Sequence, residues 1–494
     1  MTTAITPTRA ENFPEWYQQV IKKADLAETS TVHGCMIIKP WGYAIWENIQ
    51  QELDRRIKET GHENLYFPLL IPLSYIEKEA EHVLGFAKEC AVVTHHRLIQ
   101  NREGKLVPAS PLKEPLVIRP TSEAIVGTAF ANWIQSYRDL PLLTNQWANI
   151  VRWEMRPRLF LRTTEFLWQE GHTAHISEKE ARNEALKMLD VYADFAENFL
   201  AIPVIKGTKT ENEKFPGAVD TYSIEAMMQD GKALQAGTSH FLGQKFARAF
   251  QIKYINLKGK QEYVWTTSWG VTTRLIGGVV MVHGDDDGLV LPPSLAPVQV
   301  VIIPVIHKFK NPQVIYNYCE KLAELIKREN YNNKPIRVKI DFTDNNPGNK
   351  AWYWVKKGVP IRLEIGPKEY KTKTVYLSRR DKKEKVSMPR KEFIDNSSAQ
   401  LAEIQSNLLK TAKKFVKQNS VEITNRKDFY DYFTAKKPGF VYAYWREDDA
   451  LERQIKQDLN VTVRCLPFGK GKSVGKCIFS GDKSGRLAVF AKAY

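Results

Sequence analysis

Apolar residues recur along this chain with two periods. Spacing near 3.6, which gathers side chains on one face of a helix, runs through Phe13–Leu26, Trp41–Lys58, Ser122–Tyr137 and Ser177–Phe199. Pro14 sits in a first helical turn, where its missing N–H costs little. Gly61 stops the second helix, and Ser177 with Glu180 forms a capping-box signature at the start of the fourth. Short apolar runs of strand character cover Leu65–Ile71, Ala148–Glu154, Phe160–Phe166, Ala218–Ala226 and Val264–Ser268. Antiparallel pairing of these among the helices predicts an α+β domain ending near Pro293. The Pro-rich LPPSLAP, Leu291 to Pro297, is the clearest boundary. Beyond it strands and helices alternate in VQVVIIPVI, VIYNYCEKLAELIKRE, IRVKIDF, NKAWYWVKKG and IRLEIGP, which predicts a small α/β domain. A helical stretch at Ala399–Asn419 leads into a C-terminal module. The expected division is 1–293, 298–405 and 406–494.

A chain of 494 residues exceeds one hydrophobic core. Its formal charge of +16 suits a polyanionic partner, though solubility alone would also account for it. Five scattered cysteines without a Cys-x-x-Cys pair point to a reducing compartment rather than a disulfide framework. No apolar run approaches the roughly 20 residues of a membrane span, and the N-terminus lacks an apolar signal core. A cytoplasmic protein with no membrane association is expected.

The densest chemistry lies in NIVRWEMRPRLFLRTTEFLWQEGHTAH. Arg152 and Arg162 suit phosphate charge, Glu154 an exocyclic amine and Phe166 a stacked base. The Arg-x-Glu, loop, Arg-x-x-x-Phe order resembles motif 2 of the class II aminoacyl-tRNA synthetases. RPTSEA at Arg119–Ala124, FLWQEGH at Phe166–His172 and AGTSH at Ala236–His240 resemble prolyl-tRNA synthetases of the archaeal and eukaryotic type. TTSWGVTTRLIGG, Thr266–Gly278, is similar to motif 3, and the helix, Gly61 and Pro68 resemble motif 1.

The resemblance implies a class II catalytic domain with an antiparallel sheet, then an anticodon-binding domain and a small α/β C-terminal domain. It implies activation of L-proline by ATP with magnesium, transfer to tRNA(Pro), and a homodimer. Arg152 and Arg274 become the catalytic arginines. ATP is assigned to Arg152, Glu154, Arg162, Phe166, Gln235, Thr238 and Arg274. Proline is assigned to Thr121, Glu123, Arg152, Trp168, Glu170, His172, Phe215 and His240. A prolinium nitrogen, with two donors and a positive charge, matches a carboxylate and a neutral acceptor. Thr121-Ser122-Glu123 also reads as an ordinary helix cap.

His172 and Gln235 are separated by little more than a helix and a hairpin, so the editing insertion of some bacterial relatives is not expected. In the second domain Arg362 and Glu364 are candidates for reading guanine edges, or form an ion pair on a sheet face. Relatives often hold zinc with four C-terminal cysteines. Here only Cys465 and Cys477 remain, with Arg446 and Ser480 at the other positions, so no structural zinc is expected. HGDDDG at His283–Gly288 lacks the ligands of a calcium loop and reads as a polar turn. GKGKSVGK at Gly469–Lys476 fails the spacing of a phosphate loop. Tyr494 is expected to pack towards the catalytic domain. Two other readings remain: a different amino acid, such as threonine or histidine, and a synthetase-like RNA-binding protein. The intact arginines weigh against the latter.

Overall fold

The computed structural model describes residues 4–78, 87–306, 311–382, 384–435, 439–469, 474–483 and 485–494. Helix α1 (Phe13–Lys23) begins where the Asn12 side chain accepts from the Glu15 N–H. Its apolar face, with Trp16, Tyr17, Val20 and Ile21, enters the main core. Helix α2 (Pro40–Glu59) buries Ile45, Trp46, Ile49, Leu53 and Ile57, the stripe its spacing predicted. The strand expected over Leu65–Ile71 survives only at its margins, Glu63–Asn64 and Leu70–Pro72. Pro68 has no N–H to give a ladder, which explains the gap. A long ribbon, Ala91–Gln100 against Leu106–Ile118, follows. It is exposed along much of its length, so its sequence carries little alternation.

Helix α3 (Glu123–Trp133) starts one residue later than expected and stops before Tyr137. Strands β1 (Leu142–Val151) and β2 (Glu165–His175) pair antiparallel, Val151 opposite Glu165. Both expected strands were therefore placed too far into the connecting loop. Phe160 and Leu161 read as strand because they are apolar, but they are buried from a turn in which Phe160 has φ 63°. Helix α4 (Glu178–Asp194) is capped by Ser177, which accepts from the Glu180 N–H at 3.2 Å, and ends in a π turn at Phe195–Phe199. Strands β3 (Val204–Thr208), β4 (Asp220–Met227), β5 (Ala233–Gly243) and β6 (Trp265–Thr272) complete the central sheet, followed by helix α5 (Arg274–His283). Gly171 is obligatory there: a Cβ would lie 2.0 Å from the Trp269 ring on the neighbouring strand.

The second unit comprises β7 (Val300–Pro304), α6 (Pro312–Arg328), β8 (Val338–Ile340), α7 (Pro347–Lys356), β9 (Ile361–Ile365), β10 (Thr374–Arg379) and β11 (Lys385–Pro389). Strand order is β8-β7-β9-β10-β11, with β7 parallel to β8 and β9 and the others antiparallel. Helix α8 (Arg390–Gln418) then runs unbroken across residue 405. Its buried Phe393, Leu401, Ile404 and Leu408 belong to this unit's core.

The C-terminal unit contains β12 (Ser420–Glu422), α9 (Arg426–Thr434), β13 (Phe440–Trp445), α10 (Asp449–Leu459), β14 (Thr462–Pro467) and β15 (Gly485–Ala491). Its sheet is continuous with the central one, in the order β12-β13-β15-β14-β3-β4-β5-β6-β2-β1, ending in Glu63–Asn64 parallel to β1. The join is at β14, where Leu466 faces Thr208 and Pro467 faces Gly207. A Cβ on Gly207 would lie 2.6 Å from the Leu466 carbonyl oxygen, so the approach requires glycine.

The polar turn after α5 is a tether between units. Arg380 donates to Asp285 at 2.7 Å, and the Arg9 N–H donates to Asp286 at 2.9 Å. Tyr494 closes on the central sheet as expected: its hydroxyl donates to Asp230 at 2.6 Å and its N–H to the Ala233 carbonyl. Cys465 and Cys477 are buried, and burial pushes the Cys465 thiol up to about 12. Arg446 pairs instead with Asp482 at 2.7 Å. Residues 470–473 of the GKGKSVGK segment lie outside the described residues. Among the described residues no helix is long and apolar enough to cross a membrane.

Candidate active site

Alternation along a strand sends every second side chain to the same face. On β2 that face carries Phe166, Trp168, Glu170 and His172. The register extends it across five strands. One row reads Thr144, His172, Ser268, His240, Thr221, and the next Gln146, Glu170, Gly270, Thr238, Ser223. Gly270 leaves a gap in the middle of the second row. At Ile224/Glu225 the β4–β5 register shifts, so that Glu225 faces Gln235 and Ala236 becomes the extra residue. This bulge lets both Gln235 and Ala236 line the cavity that the face creates.

That cavity has a volume of about 360 Å³ and is lined by all fourteen candidates from the first domain. Arg152, Glu154, Arg162, Phe166, Gln235, Thr238 and Arg274 contribute, as do Thr121, Glu123, Trp168, Glu170, His172, Phe215 and His240. Sequence reasoning missed Glu89, Lys214 and Ser268, which also line it. Ser268 had a legible signal, being two residues before Gly270 on a strand whose alternate positions face the site. Its Oγ is buried without a hydrogen-bond partner, as is Trp168 Nε1. Two unsatisfied polar atoms in one wall are what a ligand-binding surface leaves open.

The arginines are held from behind. Arg152 Nε donates to the Pro120 carbonyl at 2.9 Å, and its guanidinium lies 5.9 Å from the Phe166 ring centre. Arg274 Nε donates to the Leu161 carbonyl at 3.2 Å and Nη1 to that of Gln235 at 3.5 Å. Burial, then repulsion from Arg152 and Arg162, brings the Arg274 pKa down to about 10. Arg162 is mostly exposed and pairs with Glu154 at 2.6 Å. To serve a nucleotide as assigned, both side chains must exchange this partner for the ligand.

The other end is acidic. Thr121 donates to Glu123, and Ser122 donates to Glu170. Ser122 makes no side-chain cap on α3, which corrects the helix-cap reading of this triplet: its hydroxyls are turned to the site. Gln146 donates to Glu170 Oε1 at 2.6 Å, and His172 Nε2 lies 2.8 Å from Oε2. Burial opposes charge on His172, but Glu170, and Glu123 beyond it, outweigh this and raise its pKa. His240 is stacked on Phe215 at 4.5 Å and its Nδ1 lies 3.0 Å from Thr221 Oγ1.

Arg362 and Glu364 lie outside this site, on β9. Arg362 is buried with Nε and Nη1 unpartnered, and Glu364 accepts from Lys385 at 2.8 Å. The alternative of an Arg362–Glu364 ion pair therefore gives way to one between Glu364 and Lys385.

Comparison with known proteins agrees with this geometry. Residues 106–283 match the family model of the class II tRNA synthetase core domain (G, H, P, S and T), and residues 299–400 match an anticodon binding domain. Residues 427–494 match the C-terminal domain of prolyl-tRNA synthetase. The proline–tRNA ligase of Bdellovibrio bacteriovorus is 56% identical over 100% of this chain and 99% of its own. The chain belongs to the prolyl-tRNA synthetases. Proline–tRNA ligase 2 of Anaeromyxobacter dehalogenans is also 56% identical, over 100% of this chain and 99% of its own. The prolyl-tRNA synthetase of Cryptosporidium parvum, solved with L-proline and AMP, superimposes with a TM-score of 0.90 at 40% identity. That match covers 99% of this chain and 97% of the other. The class II fold expected from the motifs is the fold found, with the anticodon-binding and C-terminal domains of this family.

The Glu170–His172 pair gives a direct test. In wild-type protein an NMR titration should place the His172 pKa above the ordinary value of about 6.5. In Glu170→Gln the attraction is lost and burial dominates, so the imidazole should titrate below that value. An unmoved midpoint would show that Glu170 does not set the charge.

Proposed function

We propose that the chain joins L-proline to ATP as prolyl-adenylate and then transfers the prolyl group to the 3' end of tRNA(Pro). The observation that carries this reading is a single cavity with a cationic wall at Arg152 and Arg274 and an acidic pocket at Glu123 and Glu170. The reaction brings the carboxylate of zwitterionic proline against a tetra-anion, so charge must be offset before the reactants can meet. In this reading Thr121 Oγ1 and the Glu123 carboxylate accept the two N–H donors of the prolinium nitrogen. His172 balances the charge of Glu170 beneath the ring, and Trp168, Phe215 and His240 enclose it. Arg152 holds the proline carboxylate against the α-phosphate, Arg274 and Arg162 hold the γ-phosphate, Phe166 stacks on adenine, and Glu154, Gln235 and Thr238 bind the rest of the nucleotide.

A carboxylate oxygen attacks the α-phosphorus while the bond to pyrophosphate breaks. The terminal ribose hydroxyl of tRNA then attacks the prolyl carbonyl, AMP leaves, and the hydroxyl proton is lost to solvent. Among the described residues no group of three or more His, Cys, Asp or Glu is placed to hold a metal. In this reading magnesium enters with ATP, offsetting phosphate charge.

The proposed division of labour follows 1–293 for catalysis, 298–405 for the anticodon and 406–494 for the C-terminal module. Arg362, with unpartnered donors on β9, and Glu364 beside it are the proposed anticodon readers. Exposed Val92, Leu98, Ile99 and Leu106 on the long ribbon support association with a second copy. Light scattering should therefore give twice the chain's mass. A monomer at micromolar concentration would count against the dimer. The cytoplasm is the proposed compartment.

Proline-dependent ATP–pyrophosphate exchange tests the central reading. Wild-type protein, free of stoichiometric zinc by metal analysis, should exchange with proline and not with threonine or histidine. Arg274→Ala should lower the rate about 10²- to 10³-fold, the loss expected of a donor aimed at developing charge. Silence with proline in folded protein would overturn the assignment.

The archaeal and eukaryotic type without editing is supported by the stretch between β2 and β5. Helix α4, its π turn, β3 and β4 with their short connections occupy it and leave no segment for a further domain. Proline offers little beyond its ring, and a close analogue is rejected by only about 1–3 kcal/mol. The pure enzyme should then leave alanyl-tRNA(Pro) intact at the rate of the uncatalysed blank. Rapid deacylation would refute this.

A further inference from the structure

A buried charge cluster lies across the ladder from Gln235 of the cavity wall, where the C-terminal unit meets the central sheet. Glu225 is fully buried, two residues beyond Ser223 on the same face of β4. Its Oε1 accepts from Lys209 Nζ at 2.8 Å and from Ser223 Oγ at 3.0 Å. Its Oε2 accepts from Arg464 at Nε and Nη2, at 3.1 and 3.0 Å. Arg464 Nη1 donates to Thr462 at 2.9 Å, and Lys209 also donates to the Arg464 carbonyl at 2.8 Å. Lys209, Glu225 and Arg464 are each 5% exposed or less. Two cations meet on one carboxylate out of water, and Glu213 acts on Arg464 as a further carboxylate.

Placement gives this cluster a function beyond joining two sheets. Ser223 is the cross-strand partner of Thr238, and Glu225 that of Gln235 at the bulge. Thr238 and Gln235 are the residues that the proposed nucleotide reading puts against ATP. The Gln235 carbonyl in turn accepts from Arg274. Each step from Arg464 to the nucleotide end is thus a hydrogen bond or an adjacent rung of one ladder. Glu225 and Arg464 also both act on the charge of Arg274, in opposite senses.

We propose that Arg464, from the C-terminal unit, is a positioning residue for ATP, completing the nucleotide half of the site from behind by clamping Glu225. The cluster fixes the bulge that presents Gln235, and the Arg464 and Lys209 charges add to the positive potential felt by the phosphates. A nucleotide of several negative charges feels that potential; zwitterionic proline, bound at the acidic end, does not. Loss of Arg464 should therefore separate the two ligands, which general loosening of the fold would not do.

The inference rests on the proposed placement of ATP, so the test reads each ligand alone. Full-length protein is titrated calorimetrically with AMPPNP and, separately, with L-proline. Arg464→Met keeps an unbranched apolar stem and removes the charge. It should weaken AMPPNP about ten-fold, within the range reported for mutations that couple through intervening residues, and leave proline within about two-fold. Arg464→Lys keeps the charge and should recover most of the loss. Lys209→Met removes the same charge from the central sheet and should show the same separation, which also serves if Arg464→Met does not fold. Unchanged AMPPNP affinity, or equal weakening of both ligands, would overturn the positioning role. Failure of the wild-type protein to bind AMPPNP would overturn the ATP reading itself.

Discussion

Buried guanidinium charge is the constraint on which the site depends. Removing an ion from water costs several kcal/mol even after relaxation, and Arg152 and Arg274 stand half-buried in the cavity wall, with Arg152 repelling Arg274. The chain offsets part of this cost with carboxylates. Glu89, Glu123 and Glu170 support the charge on Arg152, and Glu225 supports that on Arg274. Backbone carbonyls at Pro120, Leu161 and Gln235 take the hydrogen bonds that do not face the cavity. Both guanidinium groups line the cavity. The acidic end solves the opposite problem by the same means, with hydroxyls of Thr121 and Ser122, the amide of Gln146 and the His172 imidazole gathered around two carboxylates.

The antiparallel sheet makes such an arrangement possible without a single long loop. A row of side chains on one face is contributed by strands distant in sequence, so charge, hydroxyl and aromatic groups can be set within one hydrogen-bond step of each other. The interruptions are as useful as the rows. Gly270 opens the floor, and the β4–β5 bulge turns Gln235 into the cavity lining beside Ala236. Because β14 extends the same sheet beyond β3, the C-terminal unit is part of this framework rather than an appendage.

Much of this was legible in the chain. FLWQEGH announces one face of a strand, since Phe166, Trp168, Glu170 and His172 alternate, and the spacing between the arginines fits a hairpin. The helices α2 and α4 followed their apolar stripes to within a few residues, because an amphipathic stripe is a local property. Strand limits were less legible: Phe160 and Leu161 are apolar yet lie in a buried turn, and nothing local distinguishes them from strand residues. The ribbon at Ala91–Ile118 escaped for the opposite reason, since a two-sided exposed strand pair has no hydrophobic alternation to detect.

Arg464 marks where local reading must fail. In VTVRCLP it is an arginine within an apolar strand, a pattern that suits a surface position as well as a core one. Only the pairing of β14 with β3 brings it to Glu225, across 239 residues of sequence. A buried, charged residue is costly unless its partners are supplied, and here the catalytic sheet supplies the carboxylate while the C-terminal strand supplies the guanidinium. The catalytic unit already pairs Glu225 with its own Lys209, whereas Arg464 reaches Glu225 only across the join. That dependence ties the burial of Arg464 to docking of the C-terminal unit on the catalytic sheet, a relation that belongs to neither segment of sequence and appears only when both are folded together.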